Sequence, residues 1–268
     1  MIRTVNKSNK FQQDYFRDIS PSEIPHKVIK ATVDEILSIT EKELHKKAKT
    51  LKVLDIGSGW GEYSFELEKH VKSVVGIEPF KKVYEIAIKN KQKIKSKVKF
   101  YNLTAEKFKT NEKFDLIVSL TTIEHMSNAE KAFEQIFSML KPGGVIYATA
   151  PNKWWVFESH YGLPFLGWLP LPLADTYLRL TSKGMSYEDC SYTRSYFGMK
   201  KLFNRFPCRY YFHLPDINSA YLGCGSTGII SPLIRTSGIR LIKRIPVFWT
   251  ISKGFIIIAV KKNDKRIN

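Results

Sequence analysis

The sequence predicts an α/β fold in which about seven strands, mostly parallel, form a doubly wound sheet. Strand and helix patterns alternate from residue 51 to residue 150, with short connections between them. This alternation is typical of a parallel sheet covered by helices on both faces, with right-handed crossovers. The alternation stops after Pro151, and strand patterns return near the end of the chain. We therefore expect an insertion between the fifth and sixth strands.

Each element is predicted from its own pattern of apolar residues and breakers. Apolar residues at helical spacing predict helices, and short apolar runs bounded by turn residues predict strands. Helices are expected over 24–39, 61–71, 80–95, the segment that follows a capping box at residues 127–130, and 193–206. Strands are expected over 51–56, 73–78, 98–101, 114–120, 145–150, 238–248 and 254–261, the last two as antiparallel edge strands.

This pattern divides the chain into an N-terminal arm and helix over 1–50, which we interpret as a lid, and one domain over 51–268. Residues 151–235 form the insertion of that domain. They are rich in aromatic, proline and turn residues, and they carry no recognisable motif.

The composition is that of a globular protein, with 43% hydrophobic and 25% charged residues. Three well-separated cysteines, Cys190, Cys208 and Cys224, indicate reduced thiols and a cytoplasmic location, and no metal is expected. The formal net charge of +18 has two interpretations. It is either a solvated lysine-rich surface or an attraction to nucleic acid or to an anionic membrane face.

A glycine-rich turn follows the first predicted strand, where an open α/β sheet binds its ligand. Gly57, Gly59 and Gly61 allow a ligand to approach the backbone closely. Asp55 precedes the turn, and Glu78 ends the second strand, where a carboxylate can accept both hydroxyls of a ribose. The third glycine comes one residue too early for a dinucleotide motif, and Glu62 beside it would repel a pyrophosphate. These features favour S-adenosylmethionine, which carries an ammonium and no phosphate.

Residues 53–61, Val-Leu-Asp-Ile-Gly-Ser-Gly-Trp-Gly, resemble motif I of the class I S-adenosylmethionine-dependent methyltransferases, which have a Rossmann-like fold. Phe114–Ser119 and Leu140–Gly144 resemble later motifs in the family's order, and Ile123–Met126 resembles a segment of its quinone-biosynthesis-like branch. The resemblance covers about residues 51–152. It implies that S-adenosylmethionine is bound by Asp55, Gly57, Gly59, Gly61, Glu78, Pro79, Ala105, Glu106 and Ser119.

Two positions depart from the family pattern. Thr104 stands where the family has the acid that contacts the adenine amine. Thr121 stands where the quinone branch has an acid three residues before the Glu-His pair, which argues against a carboxylate-bound metal.

His125 follows the fourth strand, at the mouth where the methyl acceptor is expected. Removal of the acceptor proton suits a base near neutral pKa. We therefore predict His125 as a base or as an acceptor-positioning residue, with Glu124 as its neighbour. The alternative is that His125 only caps its loop or packs beside the cofactor.

The insertion begins with a dense group of aromatic residues, which suits an apolar acceptor pocket or a membrane contact. The alternative is a packed lid whose aromatic residues are core. The predicted acceptor-binding residues are Trp154, Trp155, His160 and Tyr161.

The sequence thus predicts methyl transfer to an oxygen of a small, lipid-linked or saccharide acceptor, with an anionic membrane surface as a further partner. An RNA methyltransferase is a less favoured alternative, because residues 119–122 lack the motif of amino-methylating nucleic-acid enzymes. A non-catalytic S-adenosylmethionine-binding protein is the other alternative.

Overall fold

The computed structural model describes residues 24–215 and 232–263. A seven-stranded sheet has the order β3-β2-β1-β4-β5-β7-β6, and its first five strands run parallel. β7 is antiparallel to both of its neighbours. The strands are β1 (Lys52–Ile56), β2 (Ser73–Ile77), β3 (Lys99–Tyr101), β4 (Phe114–Leu120), β5 (Leu140–Pro151), β6 (Cys208–His213) and β7 (Gly254–Lys261).

Helices cover the sheet in the order that alternation predicts. They are α1 (His26–Leu44), α2 (Glu62–Glu68), α3 (Lys81–Ile94), α4 (Ala129–Met139), α5 (Leu171–Leu180), α6 (Tyr196–Phe203) and α7 (Pro232–Arg244). Within the two described ranges, no helix combines the length and the apolar character that are needed to span a bilayer. The doubly wound α/β fold with seven mostly parallel strands is confirmed.

The strand predicted over 238–248 is wrong. Residues up to Arg244 belong to α7, and a 3-10 helix follows over Pro246–Ile251. Ile239, Ile242 and Ile245 recur every three residues, which places them on one side of a helix, whereas in a strand successive isoleucines would face opposite sides. The sixth strand is β6, inside the stretch that was predicted as insertion, and its side chains alternate between half-buried and exposed.

Two predicted helix ends also shift. α1 runs to Leu44, five residues past the helix end predicted at residue 39. α4 is capped by Asn128, whose side chain accepts a hydrogen bond from the amide of Lys131 at 2.9 Å, and not by the capping box predicted at Ser127. Asparagine is as good an N-cap as serine, so the sequence permits either start.

Apolar side chains from alternate strand positions fill two cores, one on each face of the sheet. On one face, Ile117 of β4 packs beneath α4 and α6. On the other, Val118 packs beneath α1, whose Val33 and Ile36 are fully buried. α1 is therefore part of the covering layer of the sheet. The arm predicted over 1–23 lies outside the described residues, as does Cys224.

Candidate active site

The glycine turn between β1 and α2 lies at the carboxyl edge of the sheet. Gly57, Gly59 and Gly61 all have left-handed backbones, with φ of 71°, 56° and 90°. A Cβ atom added to Gly57 would lie 2.5 Å from Oγ1 of Thr122, whereas one added to Gly59 meets nothing within 4 Å. The turn is therefore pressed against the end of β4 at Gly57 and faces open space at Gly59.

Glu78 follows β2 and binds the same turn. Its Oε2 accepts a hydrogen bond from the amide of Gly59 and its Oε1 from the amide of Phe80, each at 3.0 Å. Burial raises the pKa of Glu78 to about 7. A carboxylate has about four acceptor positions, so each oxygen keeps capacity for one further hydroxyl. This is the arrangement that two ribose hydroxyls need.

Asp55 is buried at the end of β1, where it accepts a hydrogen bond from Oγ of Ser64 at 2.6 Å. Burial raises the pKa of Asp55 to about 6 and that of half-buried Glu62 to about 7. Asp55 thus anchors the start of α2 from beneath the turn. Its predicted contact with the ammonium of the cofactor stays a prediction.

The other predicted cofactor residues border the same edge. Pro79 follows Glu78, Ala105 is buried and Glu106 half-buried in the loop after β3, and Ser119 is buried on β4 opposite Ile56. Oγ of Ser119 and Oγ of Ser58 are both buried and have no hydrogen-bond partner among the described residues. Buried hydroxyls normally find partners, so a polar ligand at the carboxyl edge of the sheet fits these positions.

The backbone turns sharply after β4. Thr121 has φ of 48°, a left-handed conformation that strains a β-branched residue. Its amide donates to the carbonyl of Thr149 at 3.1 Å, and Oγ1 of Thr122 donates to the carbonyl of Ile56 at 3.1 Å. These contacts hold the following 3-10 helix, Ile123–His125, beside the glycine turn.

Four titratable side chains meet there, which we call the acid–base cluster: Glu124, His125, Glu158 and His160. Nδ1 of His160 lies 2.7 Å from Oε1 of Glu158, and its Nε2 lies 3.9 Å from Oε1 of Glu124. Nδ1 of His125 donates to the carbonyl of Asp189 at 2.9 Å, and the two imidazole rings are 5.0 Å apart. Glu124 is 1% exposed, and neither of its carboxylate oxygens bonds another described residue.

Burial and pairing separate the four pKa values. Burial raises the pKa of Glu124 to about 7 and lowers that of His125 to about 4. Burial also opposes the charge on His160, but the adjacent Cys190 and Glu158 hold its pKa well above the usual value. His160 in turn keeps the pKa of Glu158 low against the effect of burial. The Glu158–His160 contact is therefore an ion pair.

Of the residues predicted for the acceptor, the structure brings His160 to the predicted pair Glu124 and His125. Tyr161 packs in a small satellite core beside Tyr187, 6.3 Å between ring centres, and donates to the carbonyl of Ser186. Trp154 is 44% exposed and lies edge-on to Trp168. Trp155 borders a small cavity with Glu158 and Tyr187.

Sequence reasoning missed Glu158, Asp189 and Cys190. Cys190 is fully buried, and its Sγ lies within 4.8 Å of a ring nitrogen of His125 and of one of His160. These residues come from the insertion, and only their folding onto the 3-10 helix brings them together. The pair Glu158–His160 at i and i+2 was the one local signal.

Comparison with known proteins identifies relatives of this chain. Residues 47–202, more than half of it, match the family described as a methyltransferase domain. The ubiquinone biosynthesis O-methyltransferase of Pelagibacter ubique is 32% identical over 133 residues, which are 48% of this chain and 55% of that protein. A probable S-adenosylmethionine-dependent methyltransferase of Saccharomyces cerevisiae, CRG1, is 28% identical over 148 residues, 54% and 47% of the two chains.

The chain thus spans about half the length of these relatives. Among solved structures, the plantazolicin methyltransferase BpumL in complex with S-adenosylhomocysteine and a monoazolic desmethyl-plantazolicin analogue has the same fold. It superposes with a TM-score of 0.59 at 16% identity and covers 96% of each chain.

Proposed function

Because this chain belongs to the class I S-adenosylmethionine-dependent methyltransferase family, we propose that it methylates an oxygen of a small, hydroxylated acceptor. The observation that carries this proposal is the acid–base cluster, which lies at the carboxyl end of β4 in contact with the glycine turn through Thr122. An oxygen acceptor must lose a proton during transfer, and this cluster supplies buried groups that can take it. The name of the Pelagibacter relative, an O-methyltransferase, supports the same choice.

The donor side of the site would be formed by the glycine turn and Glu78. Glu78 would accept the two ribose hydroxyls, Ser58 and Ser119 would satisfy polar groups of the cofactor, and Gly59 would lie against it. When bound, S-adenosylmethionine supplies an activated methyl group on its sulfonium. The protein has to align that methyl with the acceptor and exclude water.

On the acceptor side, Glu124 is the proposed proton acceptor and His125 the positioning residue. The Glu124 carboxylate makes no hydrogen bond to another described side chain, which suits a group that meets the hydroxyl of a substrate. His125 is held in one tautomer by its donation to the carbonyl of Asp189, so its Nε2 carries a lone pair. The insertion contributes the Glu158–His160 ion pair to the cluster, next to Glu124.

The insertion supports an acceptor that is lipid-linked. Trp168 packs edge-on against both Trp154 and Phe165, and each of the three stays between 42% and 48% exposed. Aromatic rings of this kind favour the membrane interface, and the net charge of +18 favours an anionic bilayer. We propose that these three residues, the aromatic patch, bring the site to lipid-borne substrates.

The test of the donor and acceptor roles is a pair of assays on purified variants. Glu124→Gln and His125→Ala should keep the affinity for S-adenosylhomocysteine but lower methyl transfer at least tenfold, because both act after cofactor binding. Asp55→Ala and Glu78→Ala should abolish cofactor binding. Full transfer by either cluster variant would overturn the assigned role.

The acceptor class is tested by transfer of labelled methyl from the cofactor into a cell lysate, followed by partition into lipid and aqueous fractions. Label in the lipid fraction that falls when Trp154 and Trp168 are both changed to Ser supports the proposal. Label in RNA would overturn it and favour the RNA methyltransferase alternative.

A further inference from the structure

We propose that His125, His160 and Cys190 form a binding site for a divalent zinc-type metal ion. A ring nitrogen of each histidine and Sγ of Cys190 all lie within 4.8 Å of one another. Zinc–ligand distances of about 2.0–2.3 Å place the ligand atoms of a tetrahedral site roughly 3.5 Å apart. Side-chain movements of about an ångström would therefore close the three groups around one ion.

In both imidazole rings, Nδ1 makes the kind of hydrogen bond that orients a metal-binding histidine. Nδ1 of His125 donates to the carbonyl of Asp189, and Nδ1 of His160 pairs with the carboxylate of Glu158 at 2.7 Å. A ligating histidine nearly always gives its other ring nitrogen to a carbonyl or carboxylate, which fixes the ring and raises its basicity. Two such supports in one cluster favour Nε2 of each ring as the metal ligand.

The chemistry of the ligands selects the metal. Two imidazoles and one thiolate suit Zn²⁺ or Co²⁺, whereas Mg²⁺ and Ca²⁺ prefer oxygen. On binding, the ion would displace the thiol proton of Cys190 and the Nε2 proton of His160 to solvent. The metal-bound cluster would contain the ion, the Cys190 thiolate and the carboxylates of Glu124 and Glu158, whose charges sum to −1, and to zero once Glu124 holds a proton. A total charge this close to zero lowers the cost of a charged site at this depth.

The site deepens the proposed function and rests on it for its role in transfer. Three protein ligands leave a fourth position, as in catalytic zinc sites. An acceptor hydroxyl bound there would become more acidic, and Glu124 would take its proton. His125 would then act as a ligand, in agreement with its assigned positioning role.

The experiment is a titration of the full metal-stripped chain with Co²⁺ under anaerobic conditions, followed by absorption spectroscopy. We expect one equivalent to bind with a thiolate-to-cobalt charge-transfer band, and added Zn²⁺ to displace it. Cys190→Ser should remove the band, while Cys208→Ser and Cys224→Ser should keep it. Glu158→Gln should weaken Co²⁺ binding about 10- to 100-fold, since it alters the support and not the ligand.

Wild-type protein that binds no Co²⁺, or a band that survives Cys190→Ser, would overturn the proposal. If Cys190→Ser does not fold, His160→Gln provides the second ligand variant, and it must also reduce Co²⁺ binding by at least 100-fold. Methyl transfer by metal-stripped protein would disprove a role of the ion in catalysis and leave the proposed function intact. Metal binding without any methyl transfer would support the metal site and contradict the proposed function.

Discussion

Replacement of Glu78 by glutamine tests the donor side of the site most directly. Each carboxylate oxygen already accepts one backbone amide, from Gly59 and from Phe80. A glutamine keeps one such acceptor, but its NH₂ group must face the other amide. Both ribose hydroxyls would also lose their bonds to a charged group.

The expected loss follows from these contacts. A hydrogen bond to a charged group contributes about 1.5–3 kcal/mol and a neutral one about 0.5–1.5 kcal/mol. Two ribose bonds that change from charged to neutral partners should therefore cost about 1–3 kcal/mol, which is roughly a 5- to 150-fold weaker Kd. The lost amide bond affects the ligand-free and the bound protein alike, so it contributes to stability and not to affinity.

Isothermal titration with S-adenosylhomocysteine provides the measurement. In the wild-type protein, affinity should fall as the pH drops through about 7, because a protonated Glu78 cannot accept from both hydroxyls. Glu78→Gln should lack this part of the pH dependence. Glu112→Gln, at a carboxylate that pairs with Lys52 on the surface, serves as the control. Binding by Glu78→Gln within threefold of wild type, or an unchanged pH profile, would refute the ribose assignment.

Four further substitutions test the framework of the site. Gly57→Ala should lower the free energy of unfolding by about 2–5 kcal/mol, because alanine is strained in the left-handed conformation and its Cβ would collide with Thr122. Gly59→Ala has the strain without the collision and should lower it by only about 1–2 kcal/mol. Urea titration of both variants measures the difference. Asp115→Asn should cost about 1–3 kcal/mol at pH 7. Burial opposes the charge on Asp115, but two lysines hold the pKa of this carboxyl below its usual value. The stabilisation is therefore fully present above about pH 4 and is lost as the pH falls from there through the lower folded-state pKa. The variant and the wild type should converge progressively in acid unfolding, and a difference that stays constant as the pH falls below about 4 would contradict the pairing. Asn152→Ala should lower the melting temperature, because Nδ2 of Asn152 donates to the carbonyls of residues 250 and 252 at 2.9 and 2.8 Å. An unchanged melting temperature would show that these hydrogen bonds do not contribute to stability.

The first five strands and the positions of the glycine turn and Glu78 could be predicted because their signals are local. A strand, a glycine turn and a helix start within about ten residues define the position of Gly57 and Gly59, and the carboxyl end of the next strand places Glu78 beside them. Parallel packing then leaves little choice of topology.

The last strands could not be predicted as securely. The residues over 239–247 have the apolar composition of a strand, but their isoleucines are spaced by three, and α7 follows that helical period. β6 was hidden among the aromatic residues of the insertion, because Cys208–His213 has the same composition as its surroundings. Its pairing partner, β7, lies more than forty residues away.

The acceptor side depends almost entirely on long-range contacts. His125 was found from its place after β4, but the residues that set its environment come from 158–190, and no spacing rule links them to it. Cys190 in particular has no motif around it, and the sequence indicates only a reduced thiol there. Only the folded insertion shows that it lies against two histidines.

Asn152 has a consequence for how such an enzyme diversifies. Its side chain and amide fasten the exit of β5 to the segment that enters β7, through contacts with residues 249–253. These bonds join the ends of the two strands directly, without a side chain from the residues between them. The segment before α6 buries its apolar residues in a satellite core of its own, whereas α6 belongs to the core that covers β4. We therefore expect that the segment before α6 can be exchanged to alter the acceptor while the sheet and the glycine turn are retained.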